Sequence, residues 1–117
     1  MDLQLQQKVI IVSGGAKGIG NGIVNILAEE GAIPVIIGRD TQDNEAALAP
    51  ILSRGAQGLA ITAELLDPAA CEQAIRTVRD TYGRIDGLVN NAGLNDGVSL
   101  EHGSYEGFMT SLHRNVV

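Results

Sequence analysis

The stretch from Lys8 to Gly31 constrains the fold more than any other. A β-branched run, Lys8–Ser13 (KVIIVS), passes without a spacer into Gly14-Gly15-Ala16-Lys17-Gly18-Ile19-Gly20, and these glycines open a helical pattern over Lys17–Gly31. The run reads as a buried strand. Ile19, Ile23, Ile26 and Leu27 recur at helical spacing, and Gly31 is a stop signal. Gly14 lets the chain turn sharply off the strand, Gly18 lets a pyrophosphate approach the backbone, and Gly20 lets the helix pack against the sheet. The helix start then offers free N–H groups and a positive dipole end to phosphate. The spacing is G-x-x-x-G-x-G with no Gly-Lys-Ser/Thr, so a nucleoside triphosphate loop is disfavoured and a dinucleotide is the expected ligand.

The alternation continues along the chain. Ile33–Ile37 reads as a strand, with Pro34 fitting best at its first position. Thr41–Arg54 reads as a helix, Gly58–Ala63 as a strand, and Pro68–Tyr82 as a helix with Pro68 in its first turn. Ala70, Ala74, Ile75 and Val78 form the apolar face of that helix. Ile85–Asn90 is a fourth strand, Asn91–Gly103 a loop, and Ser104–Val117 a helix with Phe108, Leu112 and Val116 on one face. Strict β-α alternation predicts an α/β fold, a doubly wound parallel sheet of Rossmann type with right-handed crossovers and helices on both faces. With two Tyr, one Phe and no Trp, the core must be aliphatic. Such a fold uses about six strands; four are legible. The last helix reaches Val116-Val117 without a stop signal. Residues 1–117 are therefore expected to be the N-terminal part of a dinucleotide-binding domain, without its C-terminal catalytic half, and strand four an apolar edge.

Several functions are disfavoured. The net charge is −6 and no Lys/Arg cluster occurs, whereas nucleic-acid binding needs a basic stripe. No apolar run approaches the roughly 18–20 residues of a membrane span, and Met1–Lys8 lacks a signal core, so cytoplasm is the default. Cys71, the single cysteine, is expected to be a small buried hydrophobe. His102 and His113 lack partners at ligand spacing, so no metal site is expected.

Four landmarks occur in a telling order: Ser13–Gly20 (SGGAKGIG), Glu64–Asp67 (ELLD), Asn90–Gly93 (NNAG) and Asn115. With them the whole chain resembles the short-chain dehydrogenase/reductase family, with Ser13 for the usual Thr and Glu64 for the usual Asp. The resemblance implies an oxidoreductase moving hydride between NAD(P) and a small alcohol or carbonyl substrate. It also implies cofactor contacts from Ser13, Gly14, Gly15, Lys17, Gly18, Ile19, Gly20, Arg39, Glu64, Leu65, Asn90, Asn91, Ala92 and Gly93, and a supporting catalytic role for Asn115. The loop NNAGLNDGVSLE is similar to those of sugar dehydrogenases, L-fucose-type ones above all. In the full-length form a homo-oligomer is implied, its interface at the helix Ser104–Val117.

The position after strand two chooses the cofactor: a carboxylate hydrogen-bonds a ribose 2′-OH, a cation accommodates a 2′-phosphate. In the family's alignment Gly38 takes the acidic place and Arg39 follows, with Lys17 as a second cation. This favours NADP; Asp40 would bring NAD back if the strand register slipped. The resemblance also calls for a Tyr, a Lys four residues later and a nearby Ser. Here the residues four after Tyr82 and Tyr105 are Asp86 and Met109, so the chain by itself is expected to lack general acid/base catalysis. The alternatives are a non-catalytic dinucleotide-binding module and an inactive fragment.

Overall fold

A computed structural model of the chain describes residues 4–91. Among these residues β1 (Val9–Ser13), α1 (Gly18–Glu29), β2 (Ile33–Gly38), α2 (Thr41–Ser53), β3 (Leu59–Thr62), α3 (Pro68–Tyr82) and β4 (Gly87–Asn90) follow in strict alternation. The strands form one parallel sheet in the order β3-β2-β1-β4. The chain builds outward from β1 to β3, then returns past β1 to place β4. This reversal puts α3 on the opposite face from α1 and α2, which makes the sheet doubly wound, as expected. The helix expected over Ser104–Val117 lies outside the described residues.

Period-two alternation in β1 and β2 divides the core. Val9, Ile11, Ile33, Val35 and Ile37 face Ala74 and Val78 of α3. Ile10, Val12 and Ile36 face Val24 and Leu27 of α1 and Ala47 and Ile51 of α2. All five residues of β1 are buried. Each fully buried Val or Ile contributes roughly 1.5–3 kcal/mol, so these two layers supply most of the drive to fold.

Two positions expected on the inward stripe of α1 turn outward instead. In α1 the buried residues are Gly20, Val24 and Leu27, whereas Ile19 is 79 % and Ile26 56 % exposed. Adjacent positions lie about 100° apart on a helix, and the close approach of Gly20 to Gly14 and Asn91 sets which stripe faces inward. In α3 the expected face holds: Ala74 and Val78 are buried and Ala70 packs against the same core, with Ile75 at its margin. Lys17 caps α1 from outside its first turn rather than beginning it. Cys71 is only partly buried, and its Sγ donates to the Leu65 carbonyl at 3.3 Å.

One proline departs from expectation, and another lies inside a helix. Pro34 is the second residue of β2, not the first, and it is buried. The Ile33 N–H donates to Lys8 O on the β1 side at 2.7 Å. Alternation therefore turns the Pro34 nitrogen toward β3, whose pairing begins one residue later at Val35↔Leu59. The missing donor thus costs no ladder bond. Pro50 lies within α2, where it removes the i+4 donor of the Ala46 carbonyl; both residues are exposed, at the surface.

Asp86 fastens the amino ends of β1 and β4. Its N–H donates to Val9 O and its Oδ2 accepts the Val9 N–H, each at 2.8 Å. The Arg84 guanidinium grips both carboxylate oxygens, at 2.8 and 2.7 Å. These hydrogen bonds, the Arg84 one foremost, hold the Asp86 carboxyl below the usual carboxylate range. A depressed folded-state pKa contributes stability above the unfolded-state value of about 3.9, and the contribution is lost as pH falls through the folded-state value. Asp86→Asn is therefore expected to lower the urea midpoint at pH 7, with the gap to the parent closing as the pH is taken down through that window. A constant gap between pH 7 and pH 2.5 would show that the ionised carboxylate is not what holds the strands.

Candidate functional site

The strand order reverses at β1, and in open α/β sheets the crevice beyond the carboxyl ends of the strands at such a reversal, here those of β1 and β4, is where ligands bind. Ser13 is buried at the last position of β1. Its Oγ accepts the Asn91 N–H at 3.0 Å and lies 3.3 Å from both Val89 O and Asn90 Oδ1. Asn91 Nδ2 donates to Gly14 O at 3.3 Å. The glycine loop after β1 and the Asn pair after β4 are thus one hydrogen-bonded unit.

The glycines in this unit do different work. Gly14 and Gly18 have φ of 68° and 57°, in the left-handed region that favours glycine. A Cβ on Gly18 would meet nothing within 4 Å, so its backbone is open to a ligand. Gly20 is the opposite case: a Cβ there would strike Gly14 O and stand 2.6 Å from Asn91 Nδ2. Gly15 is nearly as confined, 3.0 Å from Val24 Cγ2 and 3.1 Å from Val12 O. Lys17, the N-cap of α1, is extended and makes no side-chain cap, and the first turn of α1 carries no acidic residue. The N–H groups that begin α1 therefore face outward beside an open backbone with no competing carboxylate in that turn. This arrangement fits a pyrophosphate.

The charged residues are placed less simply. Lys17 Nζ lies 3.0 Å from Asp43 Oδ2, so this cation is already paired toward α2. The pair borders a groove of about 240 Å³ between α1 and α2, lined also by Asn21, Asn25 and Pro50. Arg39, directly after β2, reaches Glu64 at 3.9 Å, with both side chains about half exposed. A pair this long and exposed is worth little, so Arg39 is free to turn to an anionic ligand. Glu64 Oε1 also accepts the Leu66 N–H at 3.2 Å. Leu65 packs its side chain against the α3-side core, leaving its backbone rather than its side chain to a ligand. Asp40 and Asp67 cap α2 and α3, accepting the Asp43 and Ala69 N–H groups, each at 3.0 Å. Ile19 projects from the start of α1 into solvent. Ala92, Gly93 and Asn115 lie outside the described residues.

Asn44 was not foreseen from sequence. It is 1 % exposed, and its Nδ2 donates to Gly38 O, Ile61 O and Thr62 Oγ1 at 3.1, 3.4 and 3.3 Å. It thereby joins the carboxyl ends of β2 and β3 beneath Arg39. The available signal was its spacing with Ala47 and Ile51, which puts an amide on the apolar stripe of an otherwise polar helix. Tyr82 lies far from this crevice. It ends α3, where the chain turns back into the amino end of β4, and burial raises its pKa above the ordinary tyrosine value.

Comparison with known proteins gives a consistent picture. The sequence matches the family model described as short chain dehydrogenase over residues 8–117. It is 37 % identical over 93 residues to the 3-oxoacyl-[acyl-carrier-protein] reductase FabG of Vibrio harveyi, covering 79 % of this chain and 36 % of that protein. It is 35 % identical over 102 residues to the short-chain reductase protein NovJ of Streptomyces niveus, covering 86 % and 39 %. Among solved structures, a short-chain dehydrogenase/reductase from Serratia marcescens superimposes with a TM-score of 0.84 at 37 % identity, covering 96 % of this chain and 46 % of that one. An NAD+-bound xylitol dehydrogenase superimposes with a TM-score of 0.88 at 25 % identity, covering 97 % and 44 %. The chain spans less than half the length of each of these relatives.

The crowding at Gly20 has a direct test. Gly20→Val is expected to cost about 1–3 kcal/mol or more of stability, since the Cβ meets a backbone carbonyl that cannot swing away. Urea titration followed by circular dichroism measures this, and an unchanged midpoint would mean that α1 does not approach Gly14 and Asn91 so closely.

Proposed function

The chain belongs to the short-chain dehydrogenase/reductase family, and from that membership we propose that it is the NADP-binding N-terminal part, residues 1–117, of an oxidoreductase acting on a small alcohol or carbonyl compound. Bound NADP supplies the hydride acceptor or, reduced, the donor. The backbone of Gly14, Gly15, Gly18, Ile19 and Gly20 cradles the pyrophosphate beside Ser13 and Lys17. Arg39 pairs with the ribose 2′-phosphate. Glu64 and Leu65 border the adenine, and Asn90, Asn91, Ala92 and Gly93 line the ribose nearer the reacting ring. Asn115 supports a proton relay. A sugar is the substrate class we favour, on the resemblance of the loop after Asn90 to sugar dehydrogenases and on the polyol named for the xylitol dehydrogenase neighbour. Cytoplasmic location and a homo-oligomeric full-length form belong to the same reading. No helix among the described residues is long and apolar enough to cross a membrane.

The observation that carries the NADP reading is the end of β2: a glycine stands where a carboxylate would select NAD, and the next residue is a loosely held arginine. NAD, bound by the xylitol dehydrogenase neighbour, is the alternative. A second reading, binding without turnover, is favoured by one feature: no Lys follows either tyrosine at the fourth place. Tyr82 is no substitute proton donor, being at the wrong end of the sheet. Turnover on this proposal needs a protein that carries the Tyr-x-x-x-Lys pair in addition to these residues.

Calorimetric titration of the chain with NADP and with NAD tests the cofactor reading, and saturable binding with NADP preferred is the expected result. The two readings are separated by an assay of a protein that carries the Tyr-x-x-x-Lys pair in addition to these residues: reduction of NADP with sugars or simple alcohols is expected, and saturable binding without it would favour the binding module. Gly18→Val should abolish binding while leaving the far-ultraviolet spectrum folded, and retention of the parent affinity would remove the glycine loop from the site. Arg39→Ala should weaken NADP roughly 10- to 100-fold, the loss of one charge-assisted contact, and NAD hardly at all. Equal losses would point to NAD.

A further inference from the structure

Gly38 and Asn44 are interlocked. The three acceptors around Asn44 Nδ2 fix which way its amide faces, so Oδ1 points the other way, at Gly38. A Cβ built on Gly38 would stand 2.5 Å from Asn44 Oδ1 and 3.4 Å from its Cγ. Contacts under 3.0 Å essentially never occur for a real Cβ. Asn44 Oδ1 is buried and has no hydrogen-bond donor among the described residues. The Gly38 Cα–H that occupies the place of the missing Cβ is aimed at it, a weak C–H···O contact that partly offsets the absent donor. Asn44 cannot easily yield: it sits in the first turn of a helix capped by Asp40, and Thr41 Oγ1 is joined to Thr62 Oγ1 at 2.8 Å beside it.

Gly38 is not a glycine for backbone reasons. Its φ is not among the positive values found at Gly14, Gly18, Gly31, Gly55 and Gly83, so any residue could adopt its conformation. What keeps a side chain from this position is Asn44. We propose that Asn44 is a positioning residue that decides cofactor choice: by filling the Cβ place of Gly38 it bars a carboxylate from the end of β2 and leaves the ribose 2′ position to Arg39. The inference rests on the proposed dinucleotide site only for its functional half; the steric interlock stands on the fold. Exchanging the glycine for an acid, the obvious route to an NAD-preferring protein, should therefore fail unless Asn44 is shortened at the same time.

The experiment is a double-mutant cycle on the full chain, read first by thermal melting and then by cofactor titration. Gly38→Ala should lower the melting temperature in the parent and leave it unchanged or raise it in the Asn44→Ala background, a reversal of sign. That background is tolerable because two of the three acceptors keep another partner: Gly38 O accepts the Ala63 N–H at 2.9 Å, and Thr62 Oγ1 retains Thr41. Asn44→Ser serves as a second background with the same expectation. A Gly38→Ala protein that melts at or above the parent temperature, or one that is equally destabilised or unfolded in both backgrounds, overturns the interlock. In titrations with NADP and NAD, Gly38→Asp should weaken NADP without gaining NAD, and Gly38→Asp/Asn44→Ala should shift the NAD-to-NADP affinity ratio at least tenfold beyond Gly38→Asp alone. An equal shift from Gly38→Asp alone would overturn the role of Asn44 in cofactor choice. If the parent binds neither cofactor while the melting cycle reverses sign, the dinucleotide reading fails and the interlock survives.

Discussion

Both faces of β1 are covered and both of its edges are paired, and the rest of the molecule is arranged around that fact. A parallel strand in this position has to be apolar on both faces, and Val9-Ile10-Ile11-Val12 meets the requirement with no polar side chain. Ser13 is the first exception, and its hydroxyl is absorbed between Asn91 and the end of β4. One end of β1 is thus tied by a carboxylate at Asp86 and the other by a hydroxyl and an amide. The glycine loop begins at the residue where the strand can no longer be buried, and the depth of Gly20 against that loop fixes the rotation of α1.

The ends of the strands differ in how far they are committed. After β1 and β4 the polar groups mostly satisfy one another, and the opening is left to backbone N–H groups around Gly18. After β2 and β3 the side chains divide by burial. Asn44 joins the strand ends from within, whereas the Thr41–Thr62 hydrogen bond and the long Arg39–Glu64 pair are exposed. The buried amide is fixed by its three acceptors, and the exposed charges can re-pair. On the proposed function, a site built in this way would hold the shape of the phosphate and ribose subsites constant and leave charge recognition to side chains that can move.

The fold was legible from sequence because its signals are local. Strands of β-branched residues, glycines after helices and Pro68 at a helix start each carry their own physical cause, and the alternation of elements dictates the parallel sheet. What was not legible depends on packing. The inward stripe of α1 runs through Gly20, Val24 and Leu27 and leaves out Ile19 and Ile26, because Gly20 must lie against Gly14 and Asn91. Pro34 is tolerated at the second position of β2 because β3 starts late, a matter of register between strands 25 residues apart at Pro34 and Leu59. Of the site, the glycine loop and the Asn pair could be read from their motifs, as could the charge at Arg39. The partners of Lys17 and Arg39 could not, since Asp43 and Glu64 come close only through the crossovers. Asn44 was hidden for the same reason: its three acceptors lie on two strands that sequence reasoning cannot bring together.

The return of the chain from β3 across β1 has a consequence during synthesis. The contact between Val9 and Asp86 spans 77 residues, and at roughly 5–20 residues per second a ribosome takes on the order of 4–15 seconds to supply the second strand once the first has been made. Throughout that interval β1 can pair with β2 on one side only, and its other edge, apolar from Val9 to Val12, stands open. Loop closure over such a distance is also among the costlier steps of assembly. The nascent chain is therefore most exposed to self-association not when it is shortest but when three strands are ready and the fourth is still inside the ribosome.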